Sequence, residues 1–268
     1  MKYTFGFIGA GNMGGALAQA VAKKVGGDCI AVADANYDKA SELAGKIGAA
    51  VYDNQYIAQY CKYIFLGVKP QMMEAMLGDI KDIIQSRKDD VVLVTMAAGL
   101  TADKIASMAG GNVAVVRIMP NMPVAIGKGV TVYCSNSIAK DSDEAFVADA
   151  LSESGLVDKI DEGLINIANT LAGCGPAFAA RFAEALADGA VACGLPRDKA
   201  TDYAARMLEG TAEYLIQSGK HTGQLKDAVC SPGGSTIKGV QALENGGIRA
   251  AAMNAIVDAF NRTNELAK

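Results

Sequence analysis

The chain has 268 residues, 51% of them hydrophobic, with 25 Lys and Arg against 29 Asp and Glu for a net charge of −4. That is length enough for one large or two ordinary globular domains, and with no Trp and no Lys/Arg run the composition excludes a basic surface for nucleic acid. No stretch of 18 apolar residues is present to span a membrane, the apolar start runs into glycines instead of a signal-peptide cleavage site, and six scattered cysteines with a single histidine offer no metal-ligand set and point to reduced thiols in the cytoplasm.

The first apolar run, YTFGFIG (3–9), reads as a buried strand. It passes from Ile8 into Gly9-Ala10-Gly11-Asn12-Met13-Gly14, which opens a helix carrying Ala16, Leu17, Ala20 and Val21 on one side. GxGxxG alone is a weak signal, but here it has its strand-turn-helix context. The first glycine makes the turn, the second lets a pyrophosphate touch backbone, and the third lets helix and strand pack closely. The next strand, CIAVAD (29–34), ends at Asp34, 20 residues beyond Gly14. A carboxylate there accepts bonds from the adenine ribose hydroxyls and repels a 2′-phosphate, which favours NADH over NADPH; Asn36 and Lys39 follow within reach.

YIFLGV (63–68) ends at Gly67-Val68-Lys69-Pro70, and VVLVTM (91–96) at Ala97-Ala98-Gly99. VAVVRIM (113–119) and GVTVYC (129–134) complete the strand-like runs, with helical patterns such as YDKASELAGKIG between. This alternation means βαβ units and a parallel sheet covered on both faces. In such a sheet ligands lie beyond the carboxyl ends of the strands, so these turns are expected to line a cofactor groove. The fold class is therefore α/β, with a Rossmann-type dinucleotide-binding domain over 1–160.

From about Asp161 strand-like runs stop, and 161–268 reads as an all-helical domain. In GPAFAARFAEALADGAVACGL (175–195) the only charges, Arg181, Glu184 and Asp188, fall on one narrow stripe. A helix so apolar needs cover on nearly every side, which some 105 residues of helix do not easily supply, so a second copy of the chain is expected to supply it. His221 sits in a polar turn, where solvent exposure is expected. Next comes VCSPGGSTIKGVQAL (229–243), where Pro232-Gly233-Gly234 and the hydroxyls of Ser235 and Thr236 precede an apolar pattern of Ile237, Val240 and Leu243. Ser or Thr before such a pattern signals an N-cap. Glycines there leave N–H groups uncovered at the positive end of a helix dipole, a place for an anion.

Oxidation of an alcohol needs a group to take its proton, usually His or Lys. The β-hydroxyacid dehydrogenases resemble this chain in GxGxMG and a helical second domain, but they place a lysine on the helix after a glycine cluster. Here Gly173-Cys174-Gly175 leads to Ala179 at that position, and the helix has no lysine. Reduction of C=N is less demanding: a protonated imine accepts hydride directly, and a hydroxyl bonded to its nitrogen suffices.

FIGAGNMG, GVKPQ, MAAGLT, VRIMPNMP, LAGCGPAF, GLPRDKA and HTGQLKDAVCSPGGSTIKGVQALENGGIR together resemble pyrroline-5-carboxylate reductases over essentially the whole chain. The resemblance implies reduction of 1-pyrroline-5-carboxylate to L-proline, the last step of proline biosynthesis, with NADPH or NADH. It implies cofactor contacts at Gly9 to Gly14, Asn54 and Gly67 to Pro70. The substrate loop would comprise Ser231, Gly233, Gly234, Ser235 and Thr236, the carboxylate being held by N–H groups and hydroxyls of 233–236 with Thr236 near the ring nitrogen. It also implies a homodimer with interlocked helices, or a larger ring of dimers. Met122, Cys174 and Thr222 depart from the common Thr, Ser and Pro, and Asp34 departs from the NADPH preference of many relatives. Two other readings stay open: a reductase or dehydrogenase of another small imino or hydroxy acid, and a dinucleotide sensor without turnover.

Overall fold

The structure is a computed structural model that describes residues 3–266. The chain divides into two compact units, residues up to Gly173 together with those from Phe260 onward, and Cys174–Ala259.

The first unit is built on an eight-stranded sheet. Its strands are β1 (Tyr3–Ile8), β2 (Ile30–Ala33), β3 (Ala50–Val51), β4 (Cys61–Leu66), β5 (Val92–Thr95), β6 (Ala114–Pro120), β7 (Gly129–Ser135) and β8 (Gly155–Lys159), in the order β3-β2-β1-β4-β5-β6-β7-β8. All neighbours run parallel except β6 and β7. That pair is antiparallel because only a short turn of 3₁₀ helix at Met122–Ile126 joins them, too little chain for a crossover. The short β3 and the half-exposed β8 carry no long apolar run, which is why sequence patterning does not find them.

The parallel strands are apolar on both faces, and alternate residues serve two cores. Phe5, Phe7, Tyr63, Phe65, Val92, Val94, Val116 and Ile118 point to one side, where α1 (Asn12–Val25), α2 (Tyr37–Ile47) and α6 (Asp141–Ala150) supply Leu17, Val21, Leu43 and Val147. Ile8, Ile64, Leu66, Leu93 and Val115 point to the other, where α3 (Asn54–Tyr60), α4 (Pro70–Ser86) and α5 (Ala102–Met108) supply Ile57, Met73, Leu77, Ile80 and Ile105. Phe7 and Phe65 stack on neighbouring strands with centroids 4.5 Å apart. Two thiols lie inside this unit, and burial pushes Cys61 up to about 12 and Cys134 up to about 11.

The unit's last helix before the boundary is α7 (Glu162–Asn169), which runs into one turn of π-helix at Thr170–Cys174. The second unit contains α8 (Gly175–Ala192), α9 (Arg197–Ser218), α10 (Thr222–Ala228), α11 (Ser235–Asn245) and most of α12 (Ile248–Leu266). α8 and α9 pack through Ala187, Ala200 and Ala204, its only buried residues among those described. Phe178, Tyr203, Met207, Tyr214, Leu243, Met253 and Val257 stay exposed. Three alanines are too little core for five helices, so the apolar face of α8 is not covered within the unit.

Candidate functional site

The chain passes from the β3 edge across β2 and β1 to β4, so the turns after β1 and β4 sit side by side where the strand order reverses. Ile8 is level with Ala33 on one side and with Leu66 on the other. Gly9 N–H donates to Ala33 O at 2.7 Å and Gly67 N–H to Ile8 O at 2.8 Å, which fastens the three strand ends. At Gly9 φ is 108°, and an added Cβ would stand 2.7 Å from the backbone of Gly67; at Gly14 it would stand 2.2 Å from Gly9 O. Both glycines are required by the protein's own packing.

Gly11 is different. It is the N-cap of α1 with an ordinary φ of −67°, and nothing lies within 4 Å of where its Cβ would be. A glycine that packing and backbone do not demand, beside a helix start with no side-chain oxygen to cap it, leaves the room and the N–H groups that a dinucleotide diphosphate needs. The residues present therefore fit that group.

A groove of about 740 Å³ opens here, lined by Ile8, Gly9, Gly11, Asn12, Met13 and Gly14 from the first turn and helix. Asp34, Asn54, Gly67, Val68 and Lys69 join them. Of the other residues expected from sequence, Ala10 turns its N–H to Asp34, and Pro70 occupies the first turn of α4. Ala97 is buried with its N–H on Thr95 Oγ1, while Ala98 and Gly99 form the turn after β5; none of these lines the groove. Sequence reasoning missed Met72, Met76 and Asp79, which the groove takes from one face of α4. The spacing of Met72 and Met76, one helical turn apart, was the available signal.

Asp34 is half-buried just past β2. Its Oδ2 accepts the N–H of Ala10 at 2.7 Å and its Oδ1 the N–H of Asn36 at 2.8 Å, so one carboxylate clips the glycine-rich turn to the turn after β2. Asn36 caps α2, taking the N–H groups of Asp38 and Lys39 on its side-chain oxygen.

Two residues of the VRIMPN segment have jobs that sequence reasoning did not assign. Arg117, buried on β6, donates to Oε1 of Glu162 at 3.1 Å and to Asn166 Oδ1 at 3.4 Å, both on α7. Asn121, where β6 ends, accepts the N–H of Val130 at 2.8 Å and donates to Ala172 O at 2.9 Å, in the π-helical turn before α8. An amide side chain just past a strand end, able to donate and accept at once, was the clue.

In the helical unit the 231–236 loop differs from the capping pattern expected for it. α11 starts at Ser235, so its N-cap is Gly234 and not a hydroxyl residue. The glycines also have reasons within the turn: Gly233 has φ of 70°, and a Cβ on Gly234 would stand 2.4 Å from Ser231 Oγ. Gly234 N–H donates to Ser231 O at 3.0 Å. The outcome is an exposed helix start where no N-cap side chain covers the first N–H groups and where the hydroxyls of Ser235 and Thr236 occupy the first turn. His221 is exposed as expected, but it also caps α10: its Nδ1 accepts the N–H of Gly223 at 3.1 Å while Gln224 takes the His221 N–H at 3.2 Å. Ala179 is exposed on α8. Among the described residues no group of three or more His, Cys, Asp or Glu is placed to hold a metal ion, and no helix is long and apolar enough to cross a membrane.

Residues 162–266 match the family model described as pyrroline-5-carboxylate reductase dimerisation, and residues 4–99 match the one described as NADP oxidoreductase coenzyme F420-dependent. The chain is 35% identical over 271 residues to the pyrroline-5-carboxylate reductase of Escherichia coli, covering 100% of both chains. Its fold is similar to a pyrroline-5-carboxylate reductase structure from Coxiella burnetii, with a TM-score of 0.92, 28% identity and 100% of both chains covered. A Plasmodium falciparum pyrroline carboxylate reductase structure with NADP bound is similar at a TM-score of 0.86 and 29% identity, again over 100% of both chains.

Proposed function

The chain belongs to the pyrroline-5-carboxylate reductase family, and from that premise we propose a division of labour between its two units. The enzyme reduces 1-pyrroline-5-carboxylate to L-proline with NADH or NADPH. The observation that carries the assignment of the cofactor to the sheet unit is the open space at Gly11, between two glycines that packing accounts for. Ile8 to Gly14, Asn54 and Gly67 to Pro70 hold the nucleotide, with Asp34 at its adenosine end and the turn of Ala97, Ala98 and Gly99 towards the nicotinamide end. When bound, the nicotinamide supplies the hydride.

The 231–236 loop takes the substrate. Ser231, Gly233, Gly234, Ser235 and Thr236 receive its carboxylate, for which the bare start of α11 provides backbone donors and the favourable end of a helix dipole. Thr236 hydrogen-bonds the ring nitrogen. The ring enters as the protonated imine, hydride adds to the imine carbon, and the C=N electron pair returns to nitrogen. No base is needed, in keeping with a helix α8 that has no lysine and carries Ala179 where a hydroxy-acid dehydrogenase needs one.

The uncovered apolar face of α8 and the dimerisation model over 162–266 support a homodimer formed through the helices. Six free thiols support residence in the reducing cytoplasm. The deciding experiment gives the purified protein 1-pyrroline-5-carboxylate with each nicotinamide cofactor in turn and follows loss of reduced nicotinamide. Turnover is expected with the cyclic imine and not with hydroxybutyrate-type acids. No turnover with either cofactor overturns the assignment.

A further inference from the structure

Asn121 stands just past the carboxyl end of β6, on the sheet edge where the turns after β1 and β4 also lie, since all three strands run parallel. It is buried and uses both ends of its amide: Oδ1 accepts the N–H of Val130 at 2.8 Å and Nδ2 donates to Ala172 O at 2.9 Å. Ala172 lies in the π-helical turn at Thr170–Cys174, where a regular α-helix would bring it the N–H of the residue four positions on. That residue is Pro176, which has no N–H. Asn121 thus supplies from the sheet the donor that the helix lacks. Two more contacts shape the turn: Thr170, fully buried, returns its hydroxyl to Asn166 O at 2.8 Å, and a Cβ on Gly173 would stand 2.8 Å from Asn169 Oδ1. Single π turns inside helices recur at functional sites. Asn121 and Ala172 both belong to the sheet unit, and the helical unit begins two residues later, at Cys174.

We propose that Asn121 is a positioning residue for hydride transfer, a tether that fixes the turn from which the chain leaves the sheet unit and so sets how the substrate loop is presented to the nicotinamide. This rests on the division of labour proposed above and deepens it: a reaction whose nucleotide and substrate are held by different units depends on the peptide that joins them. Asn121 does not line the nucleotide groove. It acts through the chain at Ala172, and an error of about 1 Å in the placement of reacting groups costs about a hundredfold in rate. Nucleotide affinity, which the turns after β1 and β4 supply, does not depend on the tether.

Asn121→Asp separates the two bonds, because a carboxylate keeps the acceptor for Val130 and loses the donor for Ala172 O. The intact protein is loaded with NADH or NADPH and mixed rapidly with 1-pyrroline-5-carboxylate; the single-turnover rate of hydride transfer is measured alongside the nucleotide dissociation constant and the melting temperature. The variant is expected to transfer hydride about tenfold to a hundredfold more slowly than wild type, with nucleotide affinity unchanged and an earlier melt. Pro176→Ala is then added, which gives Ala172 O an N–H from its own helix. The double variant should recover its melting temperature and stay slow, since the carbonyl is satisfied but the sheet no longer holds it. Recovery of the rate together with the melting temperature overturns the proposal, for Asn121 would then do no more than satisfy a carbonyl. So does a folded Asn121→Asp with an unchanged rate. Should the aspartate variant not fold, Asn121→Ser, whose hydroxyl is too short to reach Ala172 O, decides by the same pair of comparisons. Wild type without turnover overturns the reaction and the tether together, whereas an active wild type with either contrary result overturns the tether alone.

Discussion

Arg117 and Glu162 face each other across 3.1 Å, and the carboxylate oxygen that takes the guanidinium also accepts the N–H of Ala102 at 3.0 Å. One oxygen thus joins the middle of β6, the start of α5 and the start of α7. Arg117 is nearly fully buried, and its Nε lacks a partner. Glu162→Ala would strand further donors and is expected to cost about 1–3 kcal/mol, the penalty for unsatisfied buried groups, moderated because Glu162 is partly exposed. Chemical denaturation of wild type and variant measures it. A loss below a few tenths of a kcal/mol would show that the junction does not depend on this pair.

Gly14 and Gly11 are expected to respond oppositely to alanine. The new Cβ of Gly14→Ala would press against Gly9 O, which belongs to backbone and cannot swing aside, so stability should fall by about 1–3 kcal/mol or more. Gly11→Ala meets open space at a permitted φ, so its unfolding free energy should stay within about 0.5 kcal/mol of wild type. Its dinucleotide affinity should drop by about tenfold or more, roughly 1.4 kcal/mol, because the methyl enters the diphosphate's space. Thermal melts and titration with reduced nicotinamide separate the two effects; equal melting losses in both variants would contradict the distinction.

Thr236→Ala tests the hydroxyl assigned to the ring nitrogen. We expect kcat to fall by about 10²-fold, within the range for a group acting on proton position, while cofactor affinity and melting temperature stay near wild type. Thr236 is exposed in the first turn of α11, so the side chain can be removed without emptying a core. A large loss of nicotinamide binding with kcat intact would place this residue elsewhere in the reaction.

Cysteine chemistry should divide sharply. Burial holds Cys61 up to about 12 and Cys134 up to about 11, far from thiolate formation near neutrality, whereas Cys193 is exposed. A thiol reagent at about pH 8 should label Cys193 early and spare Cys61 and Cys134 until denaturant is added, with peptide mass mapping as the readout. Because both folded values are raised from the ordinary 9.0, their contribution to stability is complete below about pH 9 and is lost as pH climbs towards 11 and 12. The alkaline decline in melting temperature should therefore be shallower in Cys61→Ala than in wild type. Early labelling of Cys61 in native protein would contradict the burial.

How far the sequence reveals this molecule depends on the range of the physics involved. The six long apolar runs are local signals, and all six form strands of the sheet. The turns after β1 and β4 were legible because a glycine's demand for a positive φ or a close approach is written at that position. The roles of Asn121 and Arg117 were not, because the bonds from Asn121 to Ala172 and from Arg117 to Glu162 span 51 and 45 residues, and an amide just past a strand end shows that it can donate and accept without showing to what. The cap of α11 differs from the hydroxyl N-cap that the pattern signals: Gly234 is the N-cap, with its N–H on Ser231 O, and the helix begins at Ser235 itself. Met72 and Met76 were missed, although the groove claims both and Met72 is half exposed.

The sparse interior of the helical unit bears on how the protein matures in a cell. On the homodimer proposed above, newly made helices with only Ala187, Ala200 and Ala204 sheltered would present sticky surface until a second copy docks on it, so encounter rate, and hence how much of the polypeptide is synthesised, would govern whether a molecule ripens or clumps. Dilution would then act on this enzyme as a denaturant does on others, eroding the very segment that carries Thr236.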